Sequence, residues 1–388
     1  SRMKTLGKKG LKLLKDISNN TFILISSAHN INDDMMYYRY AKSLYKMKAK
    51  VVVIGRKIKS NVNKDIKVIE LNSKKSRLKR FTIDIIKITS EIKKYEPKKT
   101  IIFLFTPDLL LLGLKLVKKK YTVVQVYVEN YPEKILEKEW IMFKLRKNIA
   151  LCIEKIQEVL GKKCFSNIFV DTYTMERQSK KVNRPILLPN YPIEIPNIGN
   201  KEKIVSKPVK LVYAGGIGRT RGLDILMELI NKISEKDVTL TIYGNFEDDC
   251  EKEEFFRWVN ENKNVIYKGY LPYNLLLKEI HKYDIGLAFY KRKTSYKNIG
   301  ENTTKIFEYM QFGLPVITQD FPILNRIISE DNAGICVDTS KKEWIEKIIK
   351  FINNTDKLKE MSISARESFK TKRNWRFCEQ KLNEIFEE

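Results

Sequence analysis

The sequence predicts an α/β chain built as two Rossmann-like, doubly wound domains facing a cleft. Three observations carry that prediction. Short β-branched runs alternate with helix-length segments in both halves of the 388 residues. A stretch bearing Pro185, Pro189, Pro192, Pro196 and Gly199, running on to Lys207, separates the two series. The length, with 43% hydrophobic residues, suffices for two cores and argues against general disorder.

In the first half, runs at 21–26, 51–54, 67–70, 100–104 and 122–127 read as strands. Helical segments lie between them, and residues 35–48 set apolar side chains at helical spacing. Such alternation makes βαβ units and a mostly parallel sheet, because parallel neighbours need a crossover. A long charged helix is expected at about 133–160. Beyond the proline stretch, strands are expected at 209–213, 238–243, 265–267, 285–289, 316–318 and 335–337. The predicted domains are residues 1–195, with a helix at about 374–388 packing back on them, and residues 196–373. In such folds ligands bind outside the carboxyl ends of the strands, here in the cleft.

Composition excludes several classes. No apolar run reaches the roughly 18–20 residues that a spanning helix needs; the runs at 101–105 and 109–112 are broken by Thr106, Pro107 and Asp108. Ser1-Arg2 read as foreign residues before a natural start at Met3, and no signal peptide is expected. The five cysteines are scattered, with no Cys-x-x-Cys pair, which suits a reducing compartment and argues against a disulfide framework or zinc site. His29 and His281 are the two histidines, too few for a multi-histidine metal centre.

The net charge of +27 is unevenly spread. Residues 1–205 carry 44 Lys and Arg against 19 Asp and Glu, net +25; residues 206–388 carry 30 against 28, net +2. A basic half attracts polyanions, either nucleic acid or an anionic lipid surface. Lysine drift from base composition would act on both halves. Within residues 4–17, Leu6, Leu13, Leu14 and Ile17 share a face and Lys8, Lys9, Lys12 and Lys15 surround it. That pattern suits a membrane interface, a frayed terminus or a helix capping the first domain.

Two segments of the second half suggest an anion site. Leu211-Val-Tyr-Ala-Gly-Gly-Ile-Gly218-Arg-Thr-Arg-Gly222 is a strand running into a glycine-rich turn and then a helix. Gly215, Gly216 and Gly218 let a phosphate approach the backbone, a helix start offers N–H groups, and Arg219 and Arg221 add donors suited to a diphosphate. A tight connection with solvated arginines is the plain alternative. In Gly300-Glu-Asn-Thr-Thr-Lys-Ile-Phe-Glu308, the side chains of Asn302, Thr303 and Thr304 suit a helix cap that points donors at an anion. Glu308, one turn after Lys305, suits the two hydroxyls of a ribose, or else a surface ion pair with Lys305.

Read on to Gly313-Leu-Pro-Val-Ile, this segment resembles the donor motif of family 4 of the glycosyltransferases, Lys-x-x-Glu-Tyr/Ala-Met-x-x-Gly-x-Pro-Val-Ile. Other landmarks follow in order: Tyr243-Gly-Asn245, Val265-Ile-Tyr-Lys-Gly-Tyr270, Tyr283-Asp-Ile-Gly-Leu-Ala-Phe and Asn374-Trp375, covering about 209–380. The resemblance implies a GT-B fold, transfer from a nucleotide diphosphate sugar with retention, and no metal or other cofactor. By position it gives Arg221 the place of the family's basic residue and Glu308 that of the ribose-binding glutamate. Asn245 and Tyr270 join the donor-binding set. The chain departs from the pattern at Gly216, where the family has an arginine that Arg219 would replace, and at Gly300, where it has a glutamate that Glu301 would replace.

On the acceptor side, the strand before His29 runs into a polar loop with Asp33 and Asp34, placing His29 at the cleft edge or as an ordinary loop residue. Gln125-Val-Tyr-Val-Glu129-Asn-Tyr-Pro resembles a segment of polysaccharide-assembling members, with Glu129 on the motif glutamate and Val128 where they have histidine; Asn190-Tyr-Pro192 resembles their interdomain segment. The acidic run 247–254 reads as a solvated helix start rather than a metal-binding pair.

The leading expectation is a glycosyltransferase with Arg219, Arg221 and Glu301 as catalytic residues. Its acceptor would be a glycan, growing or linked to polyprenyl diphosphate, met by a cytoplasmic protein at the anionic inner face of the plasma membrane. The departures suggest an alternative, a non-catalytic partner of the same fold. A nucleic-acid-binding protein would need aromatic platforms among the charges or a recognition helix, and neither is evident, so no nucleic acid is expected.

Overall fold

The computed structural model describes residues 17–57, 62–71, 80–138, 141–196, 206–234, 237–246, 248–291 and 298–387. The amphipathic pattern at 4–17 lies outside them except for Ile17, as does Glu247 of the acidic run. The chain divides into two compact units, one of residues 1–190 and 375–388 and one of residues 191–374.

The first unit is built on a seven-stranded parallel sheet: β1 (Thr21–Asn30), β2 (Lys50–Arg56), β3 (Lys67–Glu70), β4 (Thr100–Leu104), β5 (Thr122–Tyr127), β6 (Ser166–Phe169) and β7 (Pro185–Leu187). The order is β3-β2-β1-β4-β5-β6-β7. β1 is an inner strand beside the central β4, and Phe22, Ile23, Leu24 and Ile25 are fully buried, as a strand covered on both faces must be. Because successive side chains alternate, Ile23 and Ile25 join Ile102, Leu104 and Leu109 in one core. Phe22 meets Phe103 and Phe386 on the other face. The terminal helix Trp375–Glu387 is held there, with Trp375 Nε1 donating to Ser43 Oγ at 2.9 Å.

Three local readings are corrected. Pro185 opens a strand instead of serving only as linker; it starts the edge strand β7, where a missing N–H leaves an inner ladder intact. The helix at 133–160 is two helices, Tyr131–Leu136 and Phe143–Gly161. The Arg146 guanidinium takes the carbonyls of Ile141 (2.8 Å) and Leu136 (3.4 Å), turning them out of a continuous helical ladder. The helix at 35–48 opens as a π-helical stretch, Asp34–Ala41, capped by Asp33 Oδ1 on the N–H groups of Met35 and Met36, and continues as Lys42–Lys46.

The second unit carries β8 (Val209–Ala214), β9 (Val238–Tyr243), β10 (Val265–Gly269), β11 (Ile285–Ala288), β12 (Val316–Gln319) and β13 (Gly334–Val337). All pair in parallel, in the order β10-β9-β8-β11-β12-β13. In each sheet the chain reverses direction beside its first strand, at β1/β4 and at β8/β11. Those reversals are where doubly wound sheets open a crevice for a ligand.

Candidate functional site

The β8/β11 crevice gathers most of the residues singled out in the second half. β8 ends in Tyr213 and Ala214, on opposite faces and both buried, as on an inner strand covered on both sides. The Tyr213 hydroxyl donates to Gly216 O at 2.6 Å and so ties down the glycine turn. A 3₁₀ turn, Arg219–Arg221, leads into the helix Leu223–Lys232. Gly222 sits between them at φ 79°, and a Cβ there would lie 2.5 Å from Phe289 Cβ, so only glycine lets this helix start close to the end of β11.

The helix Thr304–Gln311 supplies the opposite wall. Lys305 reaches back over the turn: its ammonium lies 4.2 Å from the Tyr213 ring centre and 5.7 Å from that of Tyr290. A Cβ added to Gly215 would stand 2.7 Å from Lys305 Nζ. Two aromatic faces thus hold a cation against a glycine backbone. Glu308 is 6% exposed, which overturns the reading of a surface pair with Lys305.

Tyr309, fully buried, accepts from Ala214 N at 3.0 Å and donates to Leu287 O at 3.2 Å, stitching the helix to both strands. Burial pushes its hydroxyl well above the ordinary tyrosine range. Tyr213, Tyr290 and Tyr309 were not singled out from the sequence. The signal available was a tyrosine at the end of each of β8 and β11, where side chains face the crevice.

The capping expectation is corrected. No side chain caps the Thr304–Gln311 helix. The Thr303 hydroxyl is drawn 2.8 Å to the Tyr290 hydroxyl, and Asn302 Oδ1 accepts from Gly300 N at 3.0 Å. The departure at Gly300 has a steric reason: a Cβ would lie 2.3 Å from Ile323 Cγ2, so a side chain fits there only if Ile323 moves. The neighbouring Glu301 is buried, with Arg326 at 3.5 Å.

Arg219 is half exposed and its guanidinium pairs with Glu254, while its backbone N–H donates to Glu251 at 3.1 Å. The acidic run is therefore more than a solvated helix start: two of its carboxylates hold the arginine of the glycine turn, and Asp248 caps the N–H of Cys250 at 3.1 Å. Asn245 contributes its carbonyl, which accepts from Ile217 N at 2.8 Å. Tyr270 is 60% exposed just beyond β10.

The first-half candidates sit at the carboxyl ends of the first sheet. His29 Nδ1 is 2.9 Å from Ser26 Oγ, and Glu129 forms an ion pair with Lys134. Both line a small cavity of about 110 Å³ with Asp108, Gln125, Tyr131 and Gln157. Asp34 opens the π-helical stretch; burial raises its carboxyl above the usual range, opposed by Arg39 and helped by Asp33.

Residues 194–368 match the model of the family described as glycosyl transferases group 1. Among solved structures, the chain is similar to a sucrose-phosphate synthase from Thermosynechococcus elongatus, at 14% identity over 95% of this chain and 98% of that one, with a TM-score of 0.73. It is similar to WaaG, a glycosyltransferase involved in lipopolysaccharide biosynthesis, at 15% identity, 94% and 99% coverage and a TM-score of 0.70. It is also similar to Anabaena Alr3699/HepE in complex with UDP, at 11% identity, 94% and 98% coverage and a TM-score of 0.67. Comparison with curated proteins gives no match. Residues 194–368 thus match the glycosyl transferases group 1 model, and the chain as a whole has the GT-B fold of these solved structures.

Proposed function

We propose that the chain moves a sugar from a nucleotide diphosphate sugar to a lipid-linked or growing cell-surface glycan, with retention and without a metal. The observation that carries this reading is the Lys305 ammonium over the glycine turn, with the buried Glu308 one helical turn on. In this reading the donor diphosphate lies along Gly215, Gly216 and Gly218, met by Lys305 and Arg221, with Arg219 joining once released from its carboxylates. Positive charge placed where the leaving phosphate gathers negative charge lowers the barrier without a metal. Glu308 accepts the ribose hydroxyls, and Asn245, Tyr270, Asn302, Thr303 and Thr304 complete the donor walls. Glu301 faces the transferred sugar, and His29, Asp34 and Glu129 serve the acceptor.

A net charge of +25 over residues 1–205 supports docking of this half on anionic lipid, at the inner face of the plasma membrane. Retention rests on the family resemblance alone.

The test is a thermal-shift panel of UDP, GDP, ADP and CMP, with and without EDTA, on wild type and Glu308→Ala. One nucleotide is expected to stabilise the wild type equally in both conditions and to lose its effect in the variant. Stabilisation that vanishes with EDTA overturns the metal-free reading. No stabilisation by any nucleotide turns the reading to a non-catalytic partner.

A further inference from the structure

We propose that the start of the Phe143–Gly161 helix, with Ile141 and Met142 just before it, forms the surface by which the first unit docks on an anionic lipid bilayer. Phe143, 82% exposed, is the most exposed large hydrophobic among the described residues; Met142 before it is 70% exposed, with Leu145 at 47% and Leu136 at 40%. Side chains of this size stay in water only at a cost that burial elsewhere removes. Their exposure is built into the fold. Ile135, Ile141 and Ala150 form a small buried cluster that anchors this segment from inside. The Arg146 guanidinium holds it from outside, through Ile141 O and Leu136 O, and stacks 5.7 Å from the Phe143 ring centre. Met142 and Phe143 are thus held pointing outward.

Charge selects the occupant. Residues 136–153 carry Lys138, Lys144, Arg146 and Lys147 against Glu137 and Glu139, with no acidic residue after Glu139, and Lys144 and Lys147 are exposed among the apolar side chains. Apolar residues interleaved with lysines match the boundary between acyl chains and anionic headgroups, where the apolar groups insert and the ammonium groups stay at the phosphates. A symmetric contact with a second copy would set these cations against themselves. The inference rests on the membrane-surface reading above and gives it an address.

The experiment is co-sedimentation of the full chain with vesicles of phosphatidylcholine alone or mixed with phosphatidylglycerol. The proteins are wild type, Met142→Ser/Phe143→Ser and Lys144→Gln/Lys147→Gln. Wild type is expected to bind the mixed vesicles. The first variant loses binding, and the second loses about fivefold per lysine. UDP-induced thermal stabilisation, read from the second unit, is expected to stay unchanged and reports that the variants fold. Wild-type binding that both variants retain in full puts the docking surface elsewhere and overturns this proposal while sparing the membrane reading. No wild-type binding to mixed vesicles overturns both. A wild-type dimer that Met142→Ser/Phe143→Ser splits, seen by light scattering, assigns the face to a second copy and overturns it as well.

Discussion

The ammonium of Lys305 sits 4.2 Å from the centre of the Tyr213 ring, so a helix and the strand that opens the second sheet hold one cation over one glycine turn. The ring's negative face stabilises the charge where water is scarce, and a diphosphate bound along the turn would meet it at once.

Lys305→Met should therefore remove the preference for a charged ligand. Wild type is expected to bind UDP more tightly than uridine, and the variant to narrow that gap by about tenfold, the worth of one charge-assisted hydrogen bond. Calorimetric titration of both ligands reads it; an unchanged gap places the diphosphate elsewhere.

Arg221→Ala tests leaving-group stabilisation separately from binding. Turnover should fall by about 10²-fold, as for loss of one preorganised donor. A change confined to KM would make Arg221 a binding residue alone.

Gly244 shows how tightly the turn is packed. A Cβ there would lie 1.7 Å from Gly215 O, at a backbone φ of 151°. Gly244→Ala is expected to cost about 3 kcal/mol through overpacking and backbone strain, read by urea denaturation, and to weaken nucleotide binding with it.

Asp331, 4% exposed, accepts from Lys372 Nζ at 2.6 Å and from Arg373 Nε at 2.8 Å. Burial pushes its carboxyl up, but hydrogen bonds from Arg373 and Lys372 outweigh it and hold the group below its ordinary 3.8. A carboxylate depressed on folding stabilises the protein above its unfolded pKa and loses that contribution as pH falls through the folded value. Asp331→Asn should cost about 3 kcal/mol at pH 7. The gap from wild type should close as pH drops below 3.8. A gap independent of pH would mean the pair acts through packing alone.

Much of the fold was legible in the chain. The runs at 100–104, 122–127 and 238–243 match the inner strands β4, β5 and β9 at both ends, because inner strands of a parallel sheet are mostly apolar and turn residues bound them, and the run at 67–70 matches the edge strand β3. β6 and β7 were missed: Ser166–Phe169 is four residues long, and Pro185–Leu187 begins with proline, so neither shows a period long enough to read. The break before Phe143 was hidden because its cause is side-chain capture of two carbonyls by Arg146, and capture leaves no periodicity.

The sequence by itself determined the two α/β halves, the asymmetry of charge and the two segments that meet at the second crevice, since hydrophobic period and residue type are local properties. Only the tertiary structure decided which atoms meet there. It turned Thr303 to Tyr290 instead of the helix end, left no room for a side chain at Gly300, tied Arg219 to Glu254 and laid Lys305 between Tyr213 and Tyr290. Those pairings join residues from 13 to 92 positions apart, and what selects them is close packing and the pairing of buried polar groups, which no single stretch of sequence contains.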